Sequence, residues 1–116
     1  MSERVLVLIS EDPRTSHRAH EALRIALGIV AGENEVAVVL DGAAAHLLDA
    51  DTDDLVDGDD IAKVRDALRR LEVPMLVTAG SRPAEADWNT DGHPVREVAV
   101  AAVAAEAARA ARVLAF

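Results

Sequence analysis

The polar residues best placed for chemistry stand directly after three apolar runs. They are Ser10, Glu11 and Asp12 after residues 5–9, Asp41 and Gly42 after residues 36–40, and Thr78, Gly80, Ser81 and Arg82 after residues 74–77. Open α/β sheets bind ligands beyond the carboxyl ends of their parallel strands, which makes these loops the first place to look. Gly80, Ser81 and Arg82 have the makings of an anion cradle, in which backbone N–H groups and a guanidinium converge on negative charge. The plain alternative is an ordinary turn with a solvated arginine. Asp41 has the type and position to hold a ribose or another polar ligand. No Gly-x-Gly-x-x-Gly follows Ile9, so the phosphate half of a dinucleotide site is missing. Asp41-Gly42 therefore reads foremost as a turn. The ligand-binding candidates are Ser10, Glu11, Asp12, Asp41, Gly42, Gly80, Ser81 and Arg82.

Other constellations carry less. Glu11 and Asp12 resemble the acidic pair of receiver domains, but Thr78 and Ala79 stand where the phosphorylated aspartate belongs. Asp49, Asp51 and Asp53 take positions one, three and five of a calcium loop. Asp54 then falls at position six, which needs glycine, and no bidentate glutamate stands at position twelve. His17 and His20 are three apart on one helix, while His46 and His93 stand alone. Metal-assisted hydrolysis at Glu11, Asp12 and His93 is conceivable by residue type, but no nucleophile, base and orienting group form a set. No catalytic residue, metal ligand or cofactor is therefore assigned. His20, Leu27 and Trp88 are candidates for contact with a partner. Trp88, the only tryptophan, either anchors a partner or folds back over the sheet edge.

Composition removes whole classes of function. The chain has no cysteine, hence no disulfide, no thiolate metal site and no thiol nucleophile. A net charge of −9 argues against a nucleic-acid surface, which must be basic to neutralise phosphates. No apolar run approaches the ~20 residues that span a bilayer, and residues 5–9 are too short for a signal-peptide core. A cytoplasmic protein with neither nucleic-acid nor membrane partners is expected. At 116 residues, 51% of them hydrophobic, one domain with one core is expected.

The elements that must position these residues follow from apolar spacing. Residues 5–9 and 36–40 are continuous β-branched and leucine runs, the pattern of strands buried on both faces of a parallel sheet. Between them Ala19, Ala22, Leu23, Ala26, Ile29 and Val30 recur at helical spacing. Thr15 or Ser16 is the expected cap, and Gly32 the expected left-handed stop. Residues 43–48 read as a short helix, followed by a solvated loop with seven aspartates between Asp49 and Asp60. Asp59 or Asp60 is expected to cap a helix with the stripe Ile61, Val64, Leu68 and Leu71, and Asp66 is placed to pair with Arg70. Residues 74–77 are a third strand, and residues 84–94 have loop composition. Residues 95–100 are read as a strand in preference to the start of a long helix. A helix over about 101–110 and a last strand over 113–116 complete a three-layer α/β/α sandwich with a mostly parallel sheet of about five strands.

The helix text Glu21-Ala22-Leu23-Arg24-Ile25-Ala26-Leu27, then Glu35-Val36-Ala37-Val38-Val39-Leu40-Asp41-Gly42, then an Ala/Leu segment ending in Leu47-Leu48, resembles the DsrE/DsrF/TusC-like family of small sulfur-relay proteins. The closing Ala111-Arg112-Val113-Leu114-Ala115-Phe116 resembles that family's final strand. The resemblance implies a single DsrE-like domain over residues 1–116, assembled as a trimer or hexamer, or with cysteine-bearing homologues as a hetero-oligomer. Members with an active site carry a sulfur-accepting cysteine in the loop after the third strand. Here that loop is Ala79-Gly80-Ser81-Arg82, and serine cannot form a persulfide. The chain is similar to the family's cysteine-free subunits, which are thought to be structural. The expectation is a non-catalytic oligomeric or partner-binding protein, with small-molecule or anion binding at the strand-end loops as the alternative.

Overall fold

The computed structural model describes residues 4–116. The element order is β1 (Arg4–Ile9), α1 (Arg18–Ala31), β2 (Glu35–Leu40), a 3-10 helix (Gly42–Leu48), α2 (Gly58–Arg70), β3 (Met75–Thr78), β4 (Val95–Val98), α3 (Val100–Arg109) and β5 (Arg112–Ala115). The five strands form one sheet in the order β4-β3-β2-β1-β5. Every neighbouring pair is parallel, so the expected mostly parallel sheet of about five strands is fully parallel.

Successive side chains of a strand point to opposite faces, and the two faces are covered unequally. Val5, Val7, Ile9, Val38, Leu40, Met75 and Val77 point to one face. There they pack with Ala19, Ala22, Leu23 and Ala26 of α1, Ile61 and Leu68 of α2, and Leu47 of the 3-10 helix. Leu6, Val39 and Leu76 point to the other, where Val103 and Ala107 of α3 meet them. One layer is thus thick and the other is essentially a single alanine-rich helix.

Helix boundaries depart from the expected caps in instructive ways. Helix α1 starts at Arg18, and Ser16 Oγ accepts the Arg18 N–H from just outside the helix at 3.1 Å. Gly32 takes φ −82°, and the left-handed residue is the next one, Glu33, at φ 67°. Helix α2 is preceded by Asp57 in the left-handed conformation, which places Asp59 and Asp60 inside the first turn. There they favour the helix dipole rather than cap it. Gly58 is required by packing: a Cβ built on it would lie 2.0 Å from the Thr52 carbonyl oxygen. Asp66 pairs with Arg70 at 3.0 Å, as its spacing predicts. The stripe of α2 is wrong in two places: Arg65 is buried where Val64 is only half-buried, and Leu71 lies just past the helix and is exposed. Residues 95–98 are a strand, but Val100 already belongs to α3 and is 70% exposed.

The connection from β3 to β4 is the unusual part. Adjacent parallel strands need a crossover that carries the chain back along the sheet, normally a helix. Here residues 79–94 make the return without one, and their side chains do the packing a helix would do. Trp88 is 7% exposed and its Nε1–H donates to the Ala45 carbonyl at 2.8 Å. No helix among the described residues is long and apolar enough to cross a membrane.

Candidate functional site

Three of the candidate residues meet at the carboxyl ends of β2 and β3. Thr78 Oγ1 lies 2.7 Å from Asp41 Oδ1 and 2.6 Å from Ser81 Oγ, and the Gly42 N–H reaches Ser81 Oγ at 2.8 Å. Each hydroxyl has one proton, which fixes the direction of the chain. Gly42 N–H donates to Ser81, Ser81 O–H donates to Thr78, and Thr78 O–H donates to the Asp41 carboxylate. Thr78 is buried, so the network pins the loop after β3 to the loop after β2. Gly42 and Gly80 take φ +58° and +85°, which lets both loops turn sharply at the sheet edge.

The same contacts dismantle the expected anion cradle. The Ser81 N–H donates to Thr78 O at 3.0 Å, and the Gly42 N–H is taken by Ser81. Arg82 is turned away, with its guanidinium carbon 5.2 Å from the centroid of the Trp88 ring. The Ser81 and Gly42 N–H groups are therefore spent within the loops, and the Arg82 guanidinium lies over Trp88 and does not converge with them. The Ser81 hydroxyl is itself engaged, accepting from Gly42 and donating to Thr78.

Residues 10–12 form a separate unit. The Ser10 N–H donates to Phe116 O at 2.7 Å, tying β1 to the end of β5. Asp12 accepts from Arg14 Nε and Nη2, both at 3.0 Å, and this fork holds its carboxyl below the usual range. Glu11 is half-buried. On the 3-10 helix His46 Nδ1 lies 3.0 Å from Asp49 Oδ2, yet burial pushes the Asp49 carboxyl up, against the pull of that histidine. This pair was missed in the sequence, although its spacing of three was available as a signal.

The 79–94 connection is built around Arg65 and Asn89. Arg65, 6% exposed, donates from Nη1 to the Leu47 and Asp49 carbonyls at 2.9 and 2.7 Å and from Nη2 to Asp91 at 3.0 Å. Asn89, at φ 55°, exchanges two 3.0 Å hydrogen bonds between its side-chain amide and the His93 backbone. His93 is thereby held 3% exposed, with Nε2 2.8 Å from the Val73 carbonyl. Nε2 must carry the proton there, so Nδ1 is an acceptor, and it has no partner among the described residues. Burial keeps the ring neutral, and Arg65 and Arg69 add to that effect by repelling a second proton.

These contacts decide between the two readings of Trp88. Trp88 folds back into the core, so it presents no free aromatic to a partner. His20 and Leu27 are also turned largely inward: His20 Nδ1 lies 3.5 Å from Asp57 Oδ2, and Leu27 packs on the core. The Glu11, Asp12 and His93 set is not assembled, because Asp12 is held by Arg14 and His93 by Val73. Among the described residues no three His, Asp or Glu side chains are grouped to hold a metal ion.

Two cavities bear on ligand binding. One of about 420 Å³ lies at the amino-terminal end of the sheet beside Arg4, Val36, Leu76 and Arg96, away from the strand-end loops. The other, about 200 Å³, lies under the 79–94 connection beside Val77, Arg82, Trp88 and His93. The sequence matches no family model and no curated protein. Among solved structures, the crystal structure of the ychN protein from E. coli is similar over 100% of both chains, with a TM-score of 0.73 and 19% identity. That likeness is one of fold: the chain is a five-stranded parallel α/β protein with the architecture of ychN.

Proposed function

We propose that this chain is a non-catalytic, DsrE/DsrF-like subunit that self-assembles or docks on a cysteine-bearing relative in the cytoplasm. The observation that carries the reading is the outer surface of α3. Ala101, Ala104, Ala105 and Ala108 share one exposed stripe at helical spacing, and the exposed Val100 starts the same helix. Of the two charged residues on this helix, Glu106 is buried against Arg4 and only Arg109 is exposed. A chain with 28% charged residues has ample polar side chains for its surface, and it places none along this stripe. Small side chains allow another backbone to approach closely, which suits a repeated contact between copies. The fold shared with ychN and the resemblance in residues 21–48 support the same reading, and without cysteine the chain has no sulfur acceptor of its own.

Light scattering coupled to size exclusion tests this directly. The wild type should run as a closed oligomer, and Ala105→Glu, which puts a charge in the centre of the stripe, should run as a folded monomer. A wild type that is a strict monomer at every concentration, and that also fails to bind a cysteine-bearing homologue, overturns the proposal.

A further inference from the structure

The cavity under the 79–94 connection has a charge pattern the assembly reading does not use. Val77, Trp88 and Val95 give it apolar walls, and Arg82 and Glu97 stand at its rim. Neither Arg82 nor Glu97 makes an ion pair, with each other or with any other described residue. The guanidinium of Arg82 is held over the Trp88 ring at 5.2 Å, a contact that orients it and leaves its N–H edge for a planar anion. Glu97 lines the same cavity from edge strand β4, beside its register partner Val77 of β3. The His93 imidazole also lines the cavity, and its Nδ1 is the only buried side-chain atom without a partner among the described residues.

Two opposite charges, neither with an ion-pair partner among the described residues, line one small space. A simple anion that reaches Arg82 meets Glu97, and a simple cation that reaches Glu97 meets Arg82. A molecule carrying both charges satisfies both groups. The volume of about 200 Å³ is below the roughly 300–1,000 Å³ of sites for drug-sized ligands, so the occupant has few heavy atoms. A second cavity beside His93, Arg65 and Asp91 measures about 20 Å³ and has room for one water.

We propose that the 200 Å³ cavity is a binding site for a small zwitterion, a free α-amino acid with a short side chain. Its carboxylate sits on Arg82 and its ammonium group on Glu97, within reach of an acceptor at His93. The site is independent of the α3 stripe, since it is built from the 79–94 connection and β4.

Trp88 is the only tryptophan and lines this cavity, so its emission responds to an occupant there. Titration with L-alanine, checked by calorimetry, should give saturable binding with Kd of about 1 mM. Acetate and ethylammonium, each carrying one of the two charges, should bind at least about tenfold more weakly. Arg82→Gln should lose alanine binding without a change in Tm. Glu97→Gln should weaken alanine by about tenfold or more while strengthening acetate, a reversal that a merely structural role does not produce. Equal binding of acetate and alanine overturns the proposal, as does unchanged alanine binding in Glu97→Gln. The absence of any saturable response to glycine, L-alanine and L-serine up to about 50 mM also overturns it. Oligomeric state measured on the same samples keeps this result separate from the assembly proposal.

Discussion

Arg65→Met should undock the 79–94 connection before the rest of the domain unfolds. Methionine keeps much of the apolar stem and removes only the guanidinium. Three contacts go with it, and they are unequal. The Leu47 carbonyl, on a fully buried residue, loses its Arg65 hydrogen bond, which costs about 1–3 kcal/mol. The Asp49 carbonyl is only partly buried, so water replaces the lost bond and the cost is about 1 kcal/mol. The Asp91 side chain is 57% exposed, and its ion pair contributes at most about 0.5 kcal/mol. Removing a buried charge returns part of this total, because the guanidinium no longer has to be desolvated. The expected net loss is about 2–3 kcal/mol, or a fall in Tm of roughly 10 °C for a domain of this size. Urea unfolding followed by Trp88 emission and by far-ultraviolet circular dichroism should give coincident transitions in the wild type. In Arg65→Met the emission transition should come first. Asp91→Asn is the control and should cost under about 1 kcal/mol. An Arg65→Met variant within about 0.5 kcal/mol of wild type, with Trp88 emission unchanged, would refute the clamp.

Two further outcomes follow from packing and charge. Gly58→Ala should destabilise by about 2 kcal/mol, because the new Cβ would sit 2.0 Å from a backbone oxygen, an overpacking penalty that exceeds the helical preference of alanine. Gly32→Ala, whose Cβ meets nothing closer than 3.4 Å and whose φ is ordinary, should change Tm little, and calorimetry on both variants checks the contrast. Glu106 accepts hydrogen bonds from Arg4 and Arg109, and chiefly the Arg4 contact holds its carboxyl below the usual glutamate range. A depressed folded value adds stability above the ordinary glutamate value and loses it as pH falls through the depressed one. The Tm difference between wild type and Glu106→Gln should therefore shrink in acid; a difference that grows on acidification would contradict the assignment.

The strands and the principal helices were legible because their signals are local. Continuous runs such as residues 5–9 and 36–40 are the pattern of strands covered on both faces, as in a parallel sheet, and the spacing of Ala19, Ala22, Leu23 and Ala26 allows one helix face. The position of Asp41, Gly42 and Ser81 at strand ends was legible for the same reason. Their joint network through Thr78 was not, because which hydroxyl meets which carboxylate depends on the register between β2 and β3. The N-caps fell at His17 and Asp57, before or after the expected residues, while Gly32 caps α1 as expected but passes the left-handed turn to Glu33; φ at Asp57 and Glu33 is set by how the chain enters one helix and leaves the other.

By itself the sequence determined the class of fold, the absence of thiol chemistry and the acidic surface, because each depends only on which residues are present and how they are spaced. The tertiary structure alone decided what residues 79–94 do. They read as a polar loop with one stray tryptophan, yet β3 and β4 are parallel neighbours and the chain between them must recross the sheet. With no helix to cover that part of the sheet, Trp88 and His93 are drawn into the core, Arg65 is buried to hold them, and Arg82 and Glu97 are left facing a common space. Those contacts join residues distant along the chain, and no pattern in the sequence encodes them until the sheet order is known.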